Sequence, residues 1–239
     1  MFRQERVVID AIRPQLDCGK FFIKRIVGET VEVSADILPD GHDLMQAEVR
    51  YRHKSARKWQ QVRMQPIGND RWEAAFTVDK QGFYEYQVQG WVDYALNWQH
   101  GIKAKLADGQ YVRSELLDGM QYLEYLKEKV SGAAAEYVND LLEDFASEQA
   151  YDRATEEAVS QRLHDLFVAY PGRLFAHTSK TLEVYVDRPK AGFSTWYEFF
   201  PRSASATPGR HGTFKDCERL FQIGEEKDFD DVCFPTLQR

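Results

Sequence analysis

Cysteine and long apolar runs are scarce in this sequence. Its 239 residues include three cysteines, Cys18, Cys217 and Cys233, which lie far apart. Such an odd, scattered set does not support a disulfide framework or a CxxC metal or redox site, so we expect a cytoplasmic protein. No apolar stretch approaches the ~18 residues of a membrane-spanning helix, and the first residues lack the apolar core of a signal peptide. We therefore expect no membrane partner.

Basic residues are also few in one part of the chain. Residues 113–171 hold 13 Asp and Glu against 5 Lys and Arg, a net charge of -8 in a chain whose total is -7. Nucleic-acid binding needs a basic surface, so this balance argues against a nucleic-acid partner. The acidic side chains form either a solvated face or a contact between subunits.

The common catalytic and metal-binding motifs are missing as well. The serines lack a Gly-x-Ser-x-Gly turn, and the loop at 209–212 has neither the dinucleotide-binding glycine pattern nor a Walker lysine. The histidines lack acidic or cysteine partners at metal-ligand spacing. We therefore predict no metal site.

Apolar and polar residues alternate with period two over the first hundred residues, which predicts strands with one buried face. Turn residues such as Pro39-Asp40-Gly41 separate the runs. The pattern predicts an immunoglobulin-like β-sandwich over residues 1–112 and 174–190. The residues predicted to face its core, in five runs, are Val31, Val33, Ala35, Ile37; Ala47, Val49, Tyr51; Trp72, Ala74, Phe76, Val78; Tyr84, Tyr86, Val88; and Ile102, Ala104, Leu106.

The period changes to that of a helix between residues 113 and 173. Apolar residues recur at helical spacing from Leu116 behind a possible cap at Ser114, again from Val138, and in a third run that starts near Thr155. Each run is amphipathic, so the three helices can pack together. The order predicts an acidic helical insertion inside the sandwich, which is a β plus α fold.

Strand alternation returns at 182–186, and Asp187–Gly192 has the composition of a hinge. A strand is predicted at Thr195–Phe200, followed by a long polar loop and a helix that starts at Thr213. The stretch Trp196-Tyr197-Glu198-Phe199-Phe200-Pro201-Arg202-Ser203 with Gly209-Arg210-His211-Gly212-Thr213, the run Phe83–Val88 leading into Gly90-Trp91-Val92-Asp93, and the acidic insertion together resemble one family. It is the α-1,4-glucan:maltose-1-phosphate maltosyltransferases of the α-amylase clan.

The resemblance covers the N-terminal part of that family and implies that residues 191–239 begin a truncated (β/α)₈ barrel. It implies an enzyme that moves maltosyl units from maltose 1-phosphate onto α-1,4-glucans with retention, as a homodimer and without a cofactor. In this family the Asp nucleophile and the Glu general acid lie on later barrel strands. The chain alone is therefore predicted to contain no catalytic residue and to be inactive. The sequence departs from the family after Asp231, where Pro235–Arg239 replaces a Pro-Pro-Ile-His-Pro turn.

Two sets of residues are candidates for sugar contacts. Arg202, Ser203 and His211 follow the predicted first barrel strand, at the end of the barrel where active sites form. Trp91, Tyr94 and Trp98 form an aromatic cluster suited to sugar stacking. The alternatives are a loop held by side-chain hydrogen bonds and aromatic residues of a core or a subunit contact.

Two other functions remain open at the level of sequence. The aromatic cluster would also fit a stand-alone α-glucan-binding β-sandwich without catalysis. A different α-amylase-clan enzyme is disfavoured by the helical insertion.

Overall fold

The computed structural model describes residues 6–39, 41, 43–226 and 229–233 of the chain. Ten strands and five helices precede residue 188, and two further strands flank a sixth helix after it. The strands are β1 (Val7–Arg13), β2 (Ile23–Ile26), β3 (Thr30–Pro39), β4 (Met45–His53), β5 (Gln60–Arg63), β6 (Gln65–Gly68), β7 (Arg71–Thr77), β8 (Gly82–Val92), β9 (His177–Thr178), β10 (Leu182–Asp187), β11 (Trp196–Glu198) and β12 (Asp231–Cys233). The helices are α1 (Tyr94–Ala107), α2 (Arg113–Lys127), α3 (Ala133–Ala146), α4 (Tyr151–Ala158), α5 (Gln161–Ala169) and α6 (Phe214–Glu226).

Two sheets share one hydrophobic core. The first has the strand order β1-β3-β7-β6 and is antiparallel throughout. The second has the order β2-β10-β8-β4-β5, with β9 pairing to β8. Its strands pair antiparallel except for β10 and β2, which run parallel. The mixed β plus α class predicted from the sequence is therefore confirmed.

Period-two alternation correctly identifies most of this core. Val31, Val33, Ala35 and Ile37 are at most 1% exposed, and the residues between them on β3 face outward or are half-buried. Strands β8 and β10 follow the same alternation, with core residues at most 3% exposed and half-buried residues between them; these core residues are Tyr84, Tyr86 and Val88 on β8 and Leu182, Val184 and Val186 on β10. A strand with one face on the core and one in solvent produces this pattern.

The pattern fails at the end of β8, where both faces of the strand are covered. Gly90, Trp91, Val92 and Asp93 are all buried in succession. Glu48 on the neighbouring strand β4 lies between two core residues, yet it is only 1% exposed. The helices cover this part of the second sheet, so side chains that point away from the sheet core enter a second buried layer.

The predicted strand over Ile102, Ala104 and Leu106 is wrong, because these residues belong to α1. The carboxylate of Asp93 accepts a hydrogen bond from the Leu96 N–H and caps this helix. Leu96, Gln99 and Ile102 are the buried residues of α1, and their spacing of three follows a helical face. A stretch of five residues is too short to separate the two periods.

The helical segment also differs from prediction in its internal boundaries. Helix α2 starts one residue before Ser114, and its N-cap residue, Val112, has no capping side chain. The third predicted helix is two helices. Helix α4 ends at Ala158, and the Ser160 hydroxyl caps the start of α5 by accepting a hydrogen bond from the Leu163 N–H. Within the described part of the chain, no helix is both long and apolar enough to cross a bilayer.

A separate parallel strand pair follows residue 191. Trp196, Tyr197 and Glu198 on β11 pair with Asp231, Val232 and Cys233 on β12, and α6 connects the two strands. A small core of Phe199, Ala204 and Cys217 lies beneath. The strand predicted at 195–200 and the helix predicted from Thr213 are confirmed with shorter bounds. The departure at Pro235–Arg239 lies outside the described residues.

Gly119 in α2 allows a close contact between helices. A Cβ atom at this position would overlap the indole ring of Trp98, whereas one at Gly101 in α1 would meet nothing within 4 Å. We expect Gly119→Ala to lower the free energy of unfolding by about 1–3 kcal/mol despite the better helix propensity of alanine. The control Gly101→Ala should raise it by about 0.5–1 kcal/mol. Urea unfolding measures both, and equal effects of the two changes would contradict the packing described.

Candidate functional site

The loop that follows β11 brings together the three polar residues predicted to lie near substrate. The Gly212 N–H donates to the Arg202 carbonyl at 2.8 Å, which closes the base of the loop. A Cβ atom at Gly212 would collide with the Pro201 carbonyl, so the close approach requires glycine. Arg202, Ser203 and His211 therefore lie near this closure with exposed side chains. Their contact with a substrate stays a prediction.

Two carboxylates stabilise the segments around β11, Asp216 after the loop and Asp230 beside the residues that precede the strand. Asp216 accepts hydrogen bonds from the Thr213 N–H and hydroxyl, both at 2.7 Å, and these bonds lower the pKa of Asp216. Asp230 accepts from the Thr195 N–H at 3.0 Å and pairs with Lys190, and these contacts lower the pKa of Asp230. A general acid needs a raised pKa, so neither carboxyl has the protonation behaviour of one.

The three aromatic candidates occupy different environments. Trp91 is fully buried, Trp98 is half-buried among Tyr122, Phe145 and Phe167, and Tyr94 packs against the sheet core. The Trp98 indole N–H donates to the Glu115 carbonyl at 2.7 Å. Trp91 thus presents no open ring face to a sugar in this structure. Sugar stacking by Tyr94 or Trp98 stays a prediction.

A polar cluster joins the second sheet to the helical segment. We call it the seam, and it consists of the buried residues Glu48, Trp91 and Asp93 and the half-buried Arg63 and Arg173. The Arg173 guanidinium donates to the Glu48 carboxylate at 2.8 Å. The Arg63 guanidinium donates to the Val168 carbonyl of α5 at 3.0 Å. The seam therefore connects strands β4 and β5 to the end of α5 and to the segment that follows α5.

Two guanidinium groups contact the indole of Trp91. Those of Arg63 and Arg173 lie 4.9 and 5.0 Å from its ring centroid. A cation over a tryptophan face is stabilised by about 0.5–2 kcal/mol, with the larger values at desolvated sites. The Trp91 ring can be fully buried beside two positive charges because the electron-rich face of the indole attracts them.

Burial shifts the pKa values of the ionisable groups in the seam. It raises the pKa of Glu48, an effect that Arg173, Arg63 and Arg50 oppose. It also raises the pKa of Asp93 and lowers that of Arg63. Raised carboxyl pKa values often mark catalytic acids. Glu48 and Asp93 are each only 1% exposed, however, so these two carboxyls lie at a joint between two parts of the fold rather than in an open site.

Sequence reasoning missed the seam, because Glu48 reads as the outward residue of an alternating strand. One signal was available, namely the loss of alternation over Gly90–Asp93. A run of residues that cannot be divided into an inward and an outward set indicates a strand buried on both faces.

Comparison with known proteins identifies relatives of this chain. A family model described as "Alpha-1,4-glucan:maltose-1-phosphate maltosyltransferase, domain N/S" matches residues 5–188. That range contains both sheets of the shared core and helices α1–α5, and it ends before the strand pair of β11 and β12.

Curated α-1,4-glucan:maltose-1-phosphate maltosyltransferases are similar along nearly the whole chain. The protein of Chlorobaculum tepidum is 41% identical over 98% of this chain and 35% of its own length. That of Methylacidiphilum infernorum is 34% identical over 98% and 35%, and that of Myxococcus xanthus 36% over 97% and 36%. The chain thus spans about a third of the length of the curated relatives it matches and corresponds to their N-terminal portion.

Asp93 provides a test of the seam by pH. Because burial raises its pKa, folding stabilises the protonated form, and this stabilisation is lost as the pH rises through the folded-state value. Asp93→Asn keeps a side-chain oxygen that can accept the hydrogen bond from the Leu96 N–H and cap α1, and it removes the buried charge. We expect this variant to be more stable than the parent at neutral pH, with the advantage vanishing below the ordinary aspartate pKa of ~3.9.

Asp93→Ala is the matched control, since it also removes the cap and should cost about 1 kcal/mol at either pH relative to the Asn variant. Thermal unfolding between about pH 3 and pH 8 measures the three proteins, a range that extends below the ordinary aspartate pKa. Parallel pH dependences for the parent and Asp93→Asn would contradict the assignment of a buried, proton-retaining carboxyl.

Proposed function

The chain belongs to the α-1,4-glucan:maltose-1-phosphate maltosyltransferase family, and on that premise we propose that it is the non-catalytic N-terminal part of such an enzyme. The enzyme moves maltosyl units from maltose 1-phosphate onto α-1,4-glucans with retention of configuration, in glucan biosynthesis. In this proposal the present part is a scaffold and a dimer interface. The observation that carries it is the match of residues 5–188 to the N/S domain, in relatives about three times as long.

The distribution of ionisable groups supports a non-catalytic role. Retaining transfer uses a nucleophilic carboxylate and a general acid about 5–5.5 Å apart on either side of the bond that breaks. The carboxyls of the described residues that have a raised pKa, Glu48 and Asp93, are sealed inside the seam. Both reacting carboxyls are therefore assigned to the region that the relatives possess beyond the match.

The end of the chain fits the start of a (β/α)₈ barrel. A strand, a helix and a parallel strand in succession are the repeating unit of that fold. Among the described residues β11 and β12 pair only with each other, and large apolar side chains there stay exposed, namely Phe193, Trp196, Phe200 and Phe214. Further barrel strands would cover these groups and pair both edges. Arg202, Ser203 and His211 would then lie at the active-site end of the barrel.

The remaining assignments follow the same proposal. The two sheets are an immunoglobulin-like sandwich over 1–112 and 174–190, with an acidic helical insertion at 113–173 and the barrel start at 191–239. Helix α1 lies before the proposed boundary but packs into the core of the insertion, because Leu96 and Ile102 belong to that core. We propose a cytoplasmic homodimer.

The proposal predicts a dimer without turnover. The chain has a mass of 27.8 kDa, so light scattering should report twice that value. Phosphate release from maltose 1-phosphate in the presence of maltohexaose should be undetectable. The positive arm is a chimera in which this chain replaces the matched third of the Chlorobaculum tepidum relative, and we expect the chimera to release phosphate.

The same relative without its matched third is the control, and it should be inactive because its barrel lacks its opening strands. Turnover by the 239-residue chain alone would contradict a non-catalytic role. A folded but inactive chimera would contradict membership in a working maltosyltransferase.

A further inference from the structure

An open cavity of about 370 Å³ lies where helices α1, α2 and α5 meet the segment that returns to the second sheet. Its volume falls in the range of ~300–1,000 Å³ found for small-molecule sites. Half of the residues that line it are aromatic, namely Tyr94, Tyr122, Tyr125, Tyr170 and Phe167. Neither the sugar-contact loop after β11 nor the buried Trp91 is part of it.

The aromatic rings remain accessible although an adjacent core could have buried them. Tyr125 is 37% and Tyr170 40% exposed, whereas Phe167 at the base is 2% exposed. Tyrosine offers an apolar ring face and a hydroxyl at its edge. A pyranose ring has the complementary surfaces, with apolar C–H faces and a rim of hydroxyls. The cavity therefore suits a sugar better than a purely apolar ligand.

The walls of the cavity are held in place before any ligand arrives. The Tyr125 hydroxyl donates to the Pro171 carbonyl at 3.1 Å, which fixes the returning segment against α2. Arg173 on the same wall is held by Glu48 of the seam at 2.8 Å. A preformed site loses little conformational entropy on binding. A weakly polar ligand can therefore bind without first ordering the returning segment.

The charge of the surroundings selects a neutral ligand. Arg173 is the charged residue of the lining, and its guanidinium is already paired with Glu48. The helical segment around the cavity carries a net charge of -8 over residues 113–171. Lys129 lies 5.4 Å from the Tyr125 ring centroid but outside the lining. A sugar phosphate would be repelled by the negative field, whereas an uncharged glucan is unaffected by it.

We propose that this cavity is an accessory binding site for a neutral α-1,4-glucan chain, separate from the site of maltosyl transfer. The α-1,4 linkage rests on the proposed function, while the sugar class rests on the cavity itself. Such a site would hold a polymeric acceptor on the N-terminal part while the barrel acts on a chain end. The tethered acceptor then reaches the active site at a high effective concentration.

Isothermal titration of the 239-residue chain with maltoheptaose tests the proposal, with cellohexaose as the linkage control. We expect saturable binding of maltoheptaose and no binding of cellohexaose. Tyr170→Ala should weaken it at least about tenfold, the loss of one well-placed aromatic contact. Tyr111→Ala is the matched control, because Tyr111 is 68% exposed and lies outside the lining. Trp98 contacts Tyr122 and Phe167 at 6.1 and 6.2 Å between ring centroids, so its fluorescence gives an independent readout.

Tyr125→Ala repeats the test at a second wall residue if Tyr170→Ala loses its helical circular dichroism. Absence of maltoheptaose binding, equal binding of cellohexaose, or unchanged affinity in the folded tyrosine variants would overturn the proposal. So would a change of oligomeric state in Tyr170→Ala without sugar binding by the parent, because a second copy would then occupy the cavity. An active chimera together with no maltoheptaose binding by the 239-residue chain overturns this site and leaves the proposed function intact, whereas binding by the chain together with an inactive chimera does the reverse.

Discussion

The contact between the Glu48 carboxylate and the Arg173 guanidinium is the constraint on which the rest of this structure depends. It connects a sheet strand to the segment that leaves the helices, and it joins a buried carboxylate to a half-buried guanidinium. Removing one partner of a fully buried ion pair costs about 3–5 kcal/mol because the remaining charge is left without compensation, and removal of Arg173 would leave the buried Glu48 carboxylate in that position. The two hydrophobic cores therefore keep a fixed relative position although they are built from different elements.

A fixed joint has consequences for both proposed roles of the chain. Strand β10 leads from the second sheet into the segment before β11, so a rigid sheet would give β11, the proposed first barrel strand, a defined starting point. The aromatic cavity uses the same joint, because Arg173 serves both as the partner of Glu48 and as part of the cavity wall. The proposed scaffold role and the proposed glucan site thus depend on one arrangement.

Sequence patterns predict an element well when local chemistry decides its structure. The inward residues of β3 follow strict alternation because one face of that strand meets the core, and the apolar positions of α2 and α3 follow helical spacing. The seam could not be predicted in this way. Whether Glu48 is solvated or buried depends on Arg173, which lies 125 residues later in the chain. Trp91 and Tyr94 were grouped by sequence proximity, yet the fold turns one into the seam and the other toward the cavity shared with Tyr170.

The most direct test of the central claim is a double-mutant cycle between Glu48→Gln and Arg173→Met, measured by urea unfolding. If these two side chains hold the sheet and helices together, each single change removes the same contact. The two single effects on the free energy of unfolding then add up to more than the effect of the double change. The account predicts a coupling free energy of at least about 1 kcal/mol, as found for contacting residues in one network. Strictly additive effects would show that the two groups act independently and would contradict the account.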